Sequence, residues 1–153
     1  HIVQEAPLER ELDDDLKKIN YPKTGKIEFV KYSVKYRPDT QIVLKNVSFK
    51  INPGEKIGVV GRTGSGKSTL CLCLFRILEA TTGKILIDDI DISLIGLSLL
   101  REIITVIPQD PTLIEGTIRQ NLDPASKFTD DEILYQINLI GLAYLIEDNG
   151  LNF

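Results

Sequence analysis

The 153-residue sequence predicts an α/β fold in which an antiparallel β layer comes first and short apolar strands alternate with helices after it. Three observations predict this class. Val47, Phe49 and Ile51 alternate with Ser48 and Lys50, the pattern of a strand with one wet face. Ile57-Gly58-Val59-Val60 is instead a continuous apolar run, as expected for a strand covered on both faces. After it, Leu70, Leu74, Ile77 and Leu78 recur at helical spacing.

Residues 1–25 are charged, with an acidic run at Asp13-Asp14-Asp15 and a turn-forming stretch at 22–25, and they read as a partly helical linker. Strand signals follow. Ile27 and Phe29 alternate with charged residues, and Tyr32, Val34 and Tyr36 alternate again after a slip of register, which predicts a bulge. Arg37-Pro38-Asp39-Thr40 reads as a turn, and Asn52-Pro53-Gly54 closes the next strand. Beyond the helix that Leu70 to Leu78 predicts, Thr81-Thr82-Gly83 stops it and Ile85-Leu86-Ile87 reads as another strand. Leu99 to Ile103 predicts a brief helix, and Ile104-Thr105-Val106-Ile107 a strand ended by Pro108. Thr129-Asp130-Asp131-Glu132 is a capping box, opening a helix whose face is Ile133, Leu134, Ile137 and Ile140.

Charge and composition exclude several functions. Eighteen Lys and Arg stand against 22 Asp and Glu, a net charge of −4, which argues against nucleic acid or an anionic membrane, partners that need a concentrated positive face. No apolar run reaches the roughly 20 residues that span a bilayer, and the polar opening is not a signal peptide. The sequence has no Met and opens on His1, which points to a piece of a longer protein. That single His leaves Ser/His/Asp and Cys/His catalysis without a base, and His-ligated metal is excluded with it. Cys71 and Cys73, in apolar surroundings, read as two buried, reduced thiols.

One stretch carries chemistry by itself. Gly61-Arg62-Thr63-Gly64-Ser65-Gly66-Lys67-Ser68 fits G-x-x-x-x-G-K-[ST] at every fixed position, with an apolar run before it and a helical pattern after it. A triphosphate needs many donors at short range, and glycines let the backbone curl so that successive amides converge on an anion. The helix start adds the positive end of its dipole, and Lys67 adds a full charge for the outer phosphates. Ser68 offers a hydroxyl to Mg²⁺, a cation that takes oxygen ligands. The nucleotide site so predicted runs from Gly61 to Thr69, and the fold becomes a P-loop NTPase, or RecA-like, core behind an N-terminal antiparallel β layer. No N-K-x-D guanine-reading sequence occurs, which argues against a GTPase. A small soluble P-loop kinase or NTPase remains an alternative at this point.

Further blocks bear on the class. Val34-Lys35-Tyr36-Arg37-Pro38, Val43 to Phe49 and Gly54 to Gly64 resemble the opening of an ABC-transporter nucleotide-binding domain. Downstream, Ile107-Pro108-Gln109-Asp110-Pro111 and Gly116 to Pro124, which includes Asn121-Leu122-Asp123-Pro124, resemble the second such domain of the multidrug-resistance-associated (C) subfamily. The resemblance covers about residues 26–150 and divides the chain into a connector from the transmembrane domain, 1–25, and the N-terminal portion of the nucleotide-binding domain, 26–153.

The resemblance implies several roles. Tyr36 matches the aromatic residue that stacks on adenine, and Gln109 the glutamine whose amide oxygen ligates Mg²⁺ while its loop faces the transmembrane domain. Asp88-Asp89 after Ile85-Leu86-Ile87 has the look of a Walker B strand, but the resemblance puts it on a non-catalytic strand, with Asp89 where a Gly usually makes the turn. The family's signature sequence, true Walker B with its catalytic Glu, and switch His find no counterpart up to Phe153. The resemblance therefore implies an ATP- and Mg²⁺-binding portion, its C-terminal part missing and inactive alone. It implies as partners a second nucleotide-binding domain and the transmembrane domains of a multi-pass exporter, with this domain on the cytoplasmic face. A regulatory domain that senses ATP without turnover is a further alternative.

Overall fold

The computed structural model describes residues 7–107, 109–110 and 112–146. These fall into two compact units, divided between Val106 and Ile107.

The first unit is built on a four-stranded antiparallel sheet. Its strands are β1 (Ile27–Lys35), β2 (Ile42–Ile51), β3 (Thr82–Ile87) and β4 (Ile90–Asp91), in the order β2-β1-β3-β4. The predicted bulge is real and explains the inner face of β1. The register shifts between Phe29 and Tyr32, and Lys31 there has a φ of 46°. An uninterrupted strand would send Phe29 and Tyr32 to opposite faces; the extra residue lets Phe29, Tyr32 and Val34 all turn inward and become buried. Phe29 stacks on Phe49 of β2 with ring centroids 4.5 Å apart and meets Tyr32 edge-on at 5.5 Å. Gly83 of β3 lies against the same bulge, where an added Cβ would stand 2.3 Å from the Lys31 carbonyl oxygen.

Three helices attend this sheet: α1 (Pro7–Lys18), α2 (Lys67–Leu74) and α3 (Leu97–Ile103). Cys73 from α2, Leu99 and Leu100 from α3, and Ile92 and Ile95 between β4 and α3 join the core formed by Phe29, Val34, Ile85 and Ile87. Helix α2 is shorter than the spacing predicts, so Ile77 falls beyond its end and is exposed. Cys71 is exposed too, and only Cys73 matches the expectation of a buried thiol.

The segment before β1 is docked on this core. Helix α1 places Leu16 in the core with Leu12 packed against it, and Tyr21 follows them inside. Asp13, buried, accepts a 2.9 Å hydrogen bond from the amide of Gly96 at the start of α3. The Tyr21 hydroxyl donates to the carbonyl of Ile87 at 2.8 Å. The composition of 1–25 reads as linker because only a few positions, four residues or so apart, carry the packing; residues 1–6 lie outside the described residues.

Two expected strands are absent as strands. Ile57–Val60 and Ile104–Ile107 make no ladder, and Val60 and Ile107 are each 93% exposed. An apolar run encodes a preference for burial but becomes a strand only when another chain segment supplies its hydrogen bonds. No described strand lies beside either run. Pro108, expected to end the second, lies outside the described residues.

The second unit contains α4 (Ile118–Leu122) and α5 (Asp130–Leu139). The predicted capping box opens α5: the Thr129 hydroxyl accepts from the Glu132 amide, and the Glu132 carboxylate accepts from the Thr129 amide. A second box at Thr117 and Gln120 opens α4 in the same way. Ile133 and Ile137 are buried as the face predicts, with Leu134 packed against them, whereas Ile140 is exposed.

Candidate functional site

The glycine-rich loop leads into α2 through Gly66, whose φ of 92° is the left-handed conformation that favours glycine. This residue is packed as well as bent: an added Cβ would lie 2.8 Å from Cδ2 of Leu44. The loop itself closes with a hydrogen bond from the Ser65 amide to the Arg62 carbonyl at 3.1 Å, which turns Thr63 and Gly64 outward at its tip. A Cβ on Gly61 would fall on the Ser65 hydroxyl, so the loop's two arms approach as closely as they do because Gly61 has none.

Lys67 is folded back over this loop. Its ammonium donates to the carbonyls of Gly61 at 2.7 Å and Arg62 at 2.9 Å. Helix α2 begins there with no side-chain cap on its first amides and no acidic residue in its first turn. Uncapped amides, a helix dipole and an ammonium thus converge on one spot, an arrangement suited to an anion. Ser68 is exposed at the start of the same helix, and Thr69 behind it is buried.

Tyr36 stands just past the end of β1, half exposed, and its hydroxyl shares a 3.0 Å hydrogen bond with the Thr69 hydroxyl. The first unit therefore brings Tyr36 and the residues 61–69 together. Gln109 belongs to the second unit, where it is exposed; Pro108 and Pro111 beside it lie outside the described residues.

Asp88, the Walker B look-alike, is occupied by the backbone ahead of β1. It accepts hydrogen bonds from the amides of Lys23, Thr24 and Lys26 and from the Thr24 hydroxyl, so its oxygens are taken up in holding the segment before β1. Partial burial works to raise its pKa, but the Thr24 hydroxyl and the neighbouring amides outweigh it and hold the carboxyl at about 2. Lys26 pairs with Asp89. Both aspartates have positive φ, 45° and 66°, which makes the two-residue hairpin between β3 and β4 without glycine. Tyr21, buried and near Asp88, has its phenol pushed well above the ordinary range, first by burial and then by that carboxylate.

In the second unit the Asn121-Leu122-Asp123-Pro124 block ends α4 and leads into a turn. Asn121 accepts from the Ile114 amide at 2.7 Å and donates to the Ile114 and Thr117 carbonyls. Asp123, buried, accepts from the amides of Lys127 at 3.0 Å and Phe128 at 2.9 Å, which lower its pKa, the Phe128 amide most. Arg119 bridges it to the start of α5 through Asp130. Sequence reasoning missed what Asp13 and Asp88 bind because their partners lie far along the chain. The Thr69 pairing with Tyr36 was equally out of reach, since nothing in either local sequence names the other.

Over 125 residues, 80% of its length, the chain is 58% identical to ABC transporter 7 of Pyricularia oryzae. Over 127 residues, 83% of the chain, it is 53% identical to human ATP-binding cassette sub-family C member 2. Bile pigment transporter 1 of Saccharomyces cerevisiae is 57% identical over 114 residues, 74% of the chain. The aligned part spans only 7–8% of each of these relatives. Residues 44–149, over two thirds of the chain, match the family described as ABC transporter, and the match takes in the glycine loop, α2 and both capped helices. By that match the chain belongs to the ABC transporter family.

Proposed function

We propose that this chain is the ATP-holding portion of a transporter's nucleotide-binding domain, and that the whole protein uses ATP hydrolysis to export a substrate across a membrane. The observation that carries the reading is the Lys67 ammonium resting on the Gly61 and Arg62 carbonyls above an uncapped helix start. Family membership supports it and favours a transporter domain over a small soluble kinase.

The residues fit the nucleotide. The amides of 62–69 and the dipole of α2 would hold the phosphates, Gly61 and Gly66 letting the loop pack closely and Gly64 standing open at its tip, and Lys67 would exchange its two carbonyl partners for phosphate oxygens. Arg62, Thr63 and Ser65 line the loop through their main chain. The Ser68 hydroxyl is a hard oxygen donor of the kind Mg²⁺ takes, and for Gln109 the proposed role as an Mg²⁺ ligand rests on the resemblance alone. Bound there, Mg²⁺ would supply neutralisation of phosphate charge. The half-exposed Tyr36 ring offers a face for adenine, an interaction worth about 1–3 kcal/mol.

Residues 1–25 fit a connector from the transmembrane domain, anchored on the domain of 26–153. The partners proposed are those transmembrane domains and a second nucleotide-binding domain, with the site on the cytoplasmic side of the membrane as part of the same proposal; no described helix is long and apolar enough to cross one. No residue of this chain is assigned a role as catalytic base.

Titration calorimetry of the chain with Mg-ATP tests the reading. Lys67→Ala is expected to weaken binding by roughly ten- to a hundred-fold, the loss of one or two charge-assisted hydrogen bonds. Equal affinity in the two proteins would remove the loop from the site.

A further inference from the structure

The hydrogen bond between Tyr36 and Thr69 joins residues 33 positions apart, and its two ends are held very differently. Thr69 is 3% exposed in the first turn of α2, where helix geometry and packing hold its hydroxyl in place. Tyr36 is 50% exposed on a bend beyond β1, and an open cleft of about 510 Å³ lined by Arg37, Pro38, Ile77 and Leu78 leaves one side of it uncovered. A tyrosine so placed has two free side-chain torsions, and fixing its hydroxyl removes the freedom of both.

We infer that Thr69 is a positioning residue whose hydroxyl holds the Tyr36 ring beside the start of α2, in the pose that receives the base of a nucleotide. The inference rests on the nucleotide-site reading, the stacking role of Tyr36 included, and divides the labour of Thr69 within it. Its amide belongs to the phosphate loop, while its hydroxyl serves the base through Tyr36. A ring already oriented loses less entropy when a base stacks on it, so the bond acts on affinity for nucleotides and not for phosphate chains alone.

The test compares Mg-ATP with magnesium tripolyphosphate, which has the phosphates and no base, by calorimetry on the full chain. Thr69→Val and Tyr36→Phe are each expected to raise the ratio of the ATP to the tripolyphosphate dissociation constant by about two- to tenfold, the worth of one hydrogen bond. Thr69→Ser, which keeps the hydroxyl, is expected to restore the wild-type ratio. The double variant Tyr36→Phe with Thr69→Val should change the ratio no more than either single one, because both remove the same bond. Should Thr69→Val fail to fold, Tyr36→Phe at its exposed position reads the bond from the other end. An unchanged ratio in Tyr36→Phe, or weakening of both ligands alike, overturns the inference and leaves the phosphate site standing. Wild-type chain that binds neither ligand overturns the phosphate site, and the inference falls with it.

Discussion

The ammonium of Lys67 lies 2.7 Å from the carbonyl oxygen of Gly61, so a cation of the phosphate loop is satisfied by the loop's own backbone. Exchange of those carbonyls for phosphate oxygens replaces neutral acceptors by charged ones, and this difference is what Lys67 contributes to binding.

Lys67→Met should therefore separate fold from ligand. Its melting temperature without nucleotide is expected to stay close to wild type, since the lost bonds lie at an exposed surface. With ATP at about 100 times the wild-type dissociation constant, a stabilisation of about 2.7 kcal/mol should fall to about 0.4–1.4 kcal/mol, for an affinity loss of ten- to a hundred-fold. Differential scanning calorimetry with and without Mg-ATP measures both.

Asp88 makes stability depend on pH in the acid range. Its folded pKa of about 2 lies below its ordinary value of 3.8, so its contribution is full above the latter and is lost as pH falls through the former. Denaturant unfolding of Asp88→Asn should show a loss of about 1–2 kcal/mol at pH 7, allowing for solvent screening, and a shallower decline than wild type between pH 4 and 2. Parallel curves in that window would remove Asp88 from the acid limb.

The docked N-terminal segment should be felt in stability. Leu16→Ala is expected to cost about 2–4 kcal/mol, as a buried leucine does. Asp13→Ala leaves the Gly96 amide without its buried acceptor and should cost about 1–3 kcal/mol. Urea denaturation followed by circular dichroism measures both, and values near zero would mean that α1 is undocked in solution.

Gly83→Ala should be severe where Gly54→Ala is mild. Both have positive φ, 76° and 69°, but a Cβ on Gly83 meets the carbonyls of Lys31 and Val30, while none of this surrounds Gly54. The expected costs are above about 3 kcal/mol at position 83 and about 1–2 kcal/mol at position 54, read from thermal unfolding.

The two thiols should react at different rates. Exposed Cys71 is expected to modify readily with a thiol reagent, while Cys73, fully buried and with its thiol pKa raised first by burial, reacts only on unfolding. Counting modified thiols before and after adding denaturant checks this.

Much of the local structure was legible in the sequence. The glycine loop and the start of its helix, the slip at Lys31 and the capping box at Thr129 are signals that span a few residues, and each is where it was expected. Ile57–Val60 and Ile104–Ile107 were misread, because an apolar run states a preference for burial and not the identity of a neighbour. The charged composition of 1–25 likewise hid Leu16 and Tyr21, two core residues in a polar setting.

Chemistry that depends on residue type and short spacing was thus set before folding: which loop can cradle an anion, and which residue offers the ammonium. What folding added is the set of pairings between distant positions. Asp13 reaches Gly96 across 83 positions, Thr24 reaches Asp88 across 64, and Tyr36 reaches Thr69 across 33. A hydrogen bond is decided within about 3 Å, a proximity that sequence distance does not encode and that packing of the sheet against its helices creates.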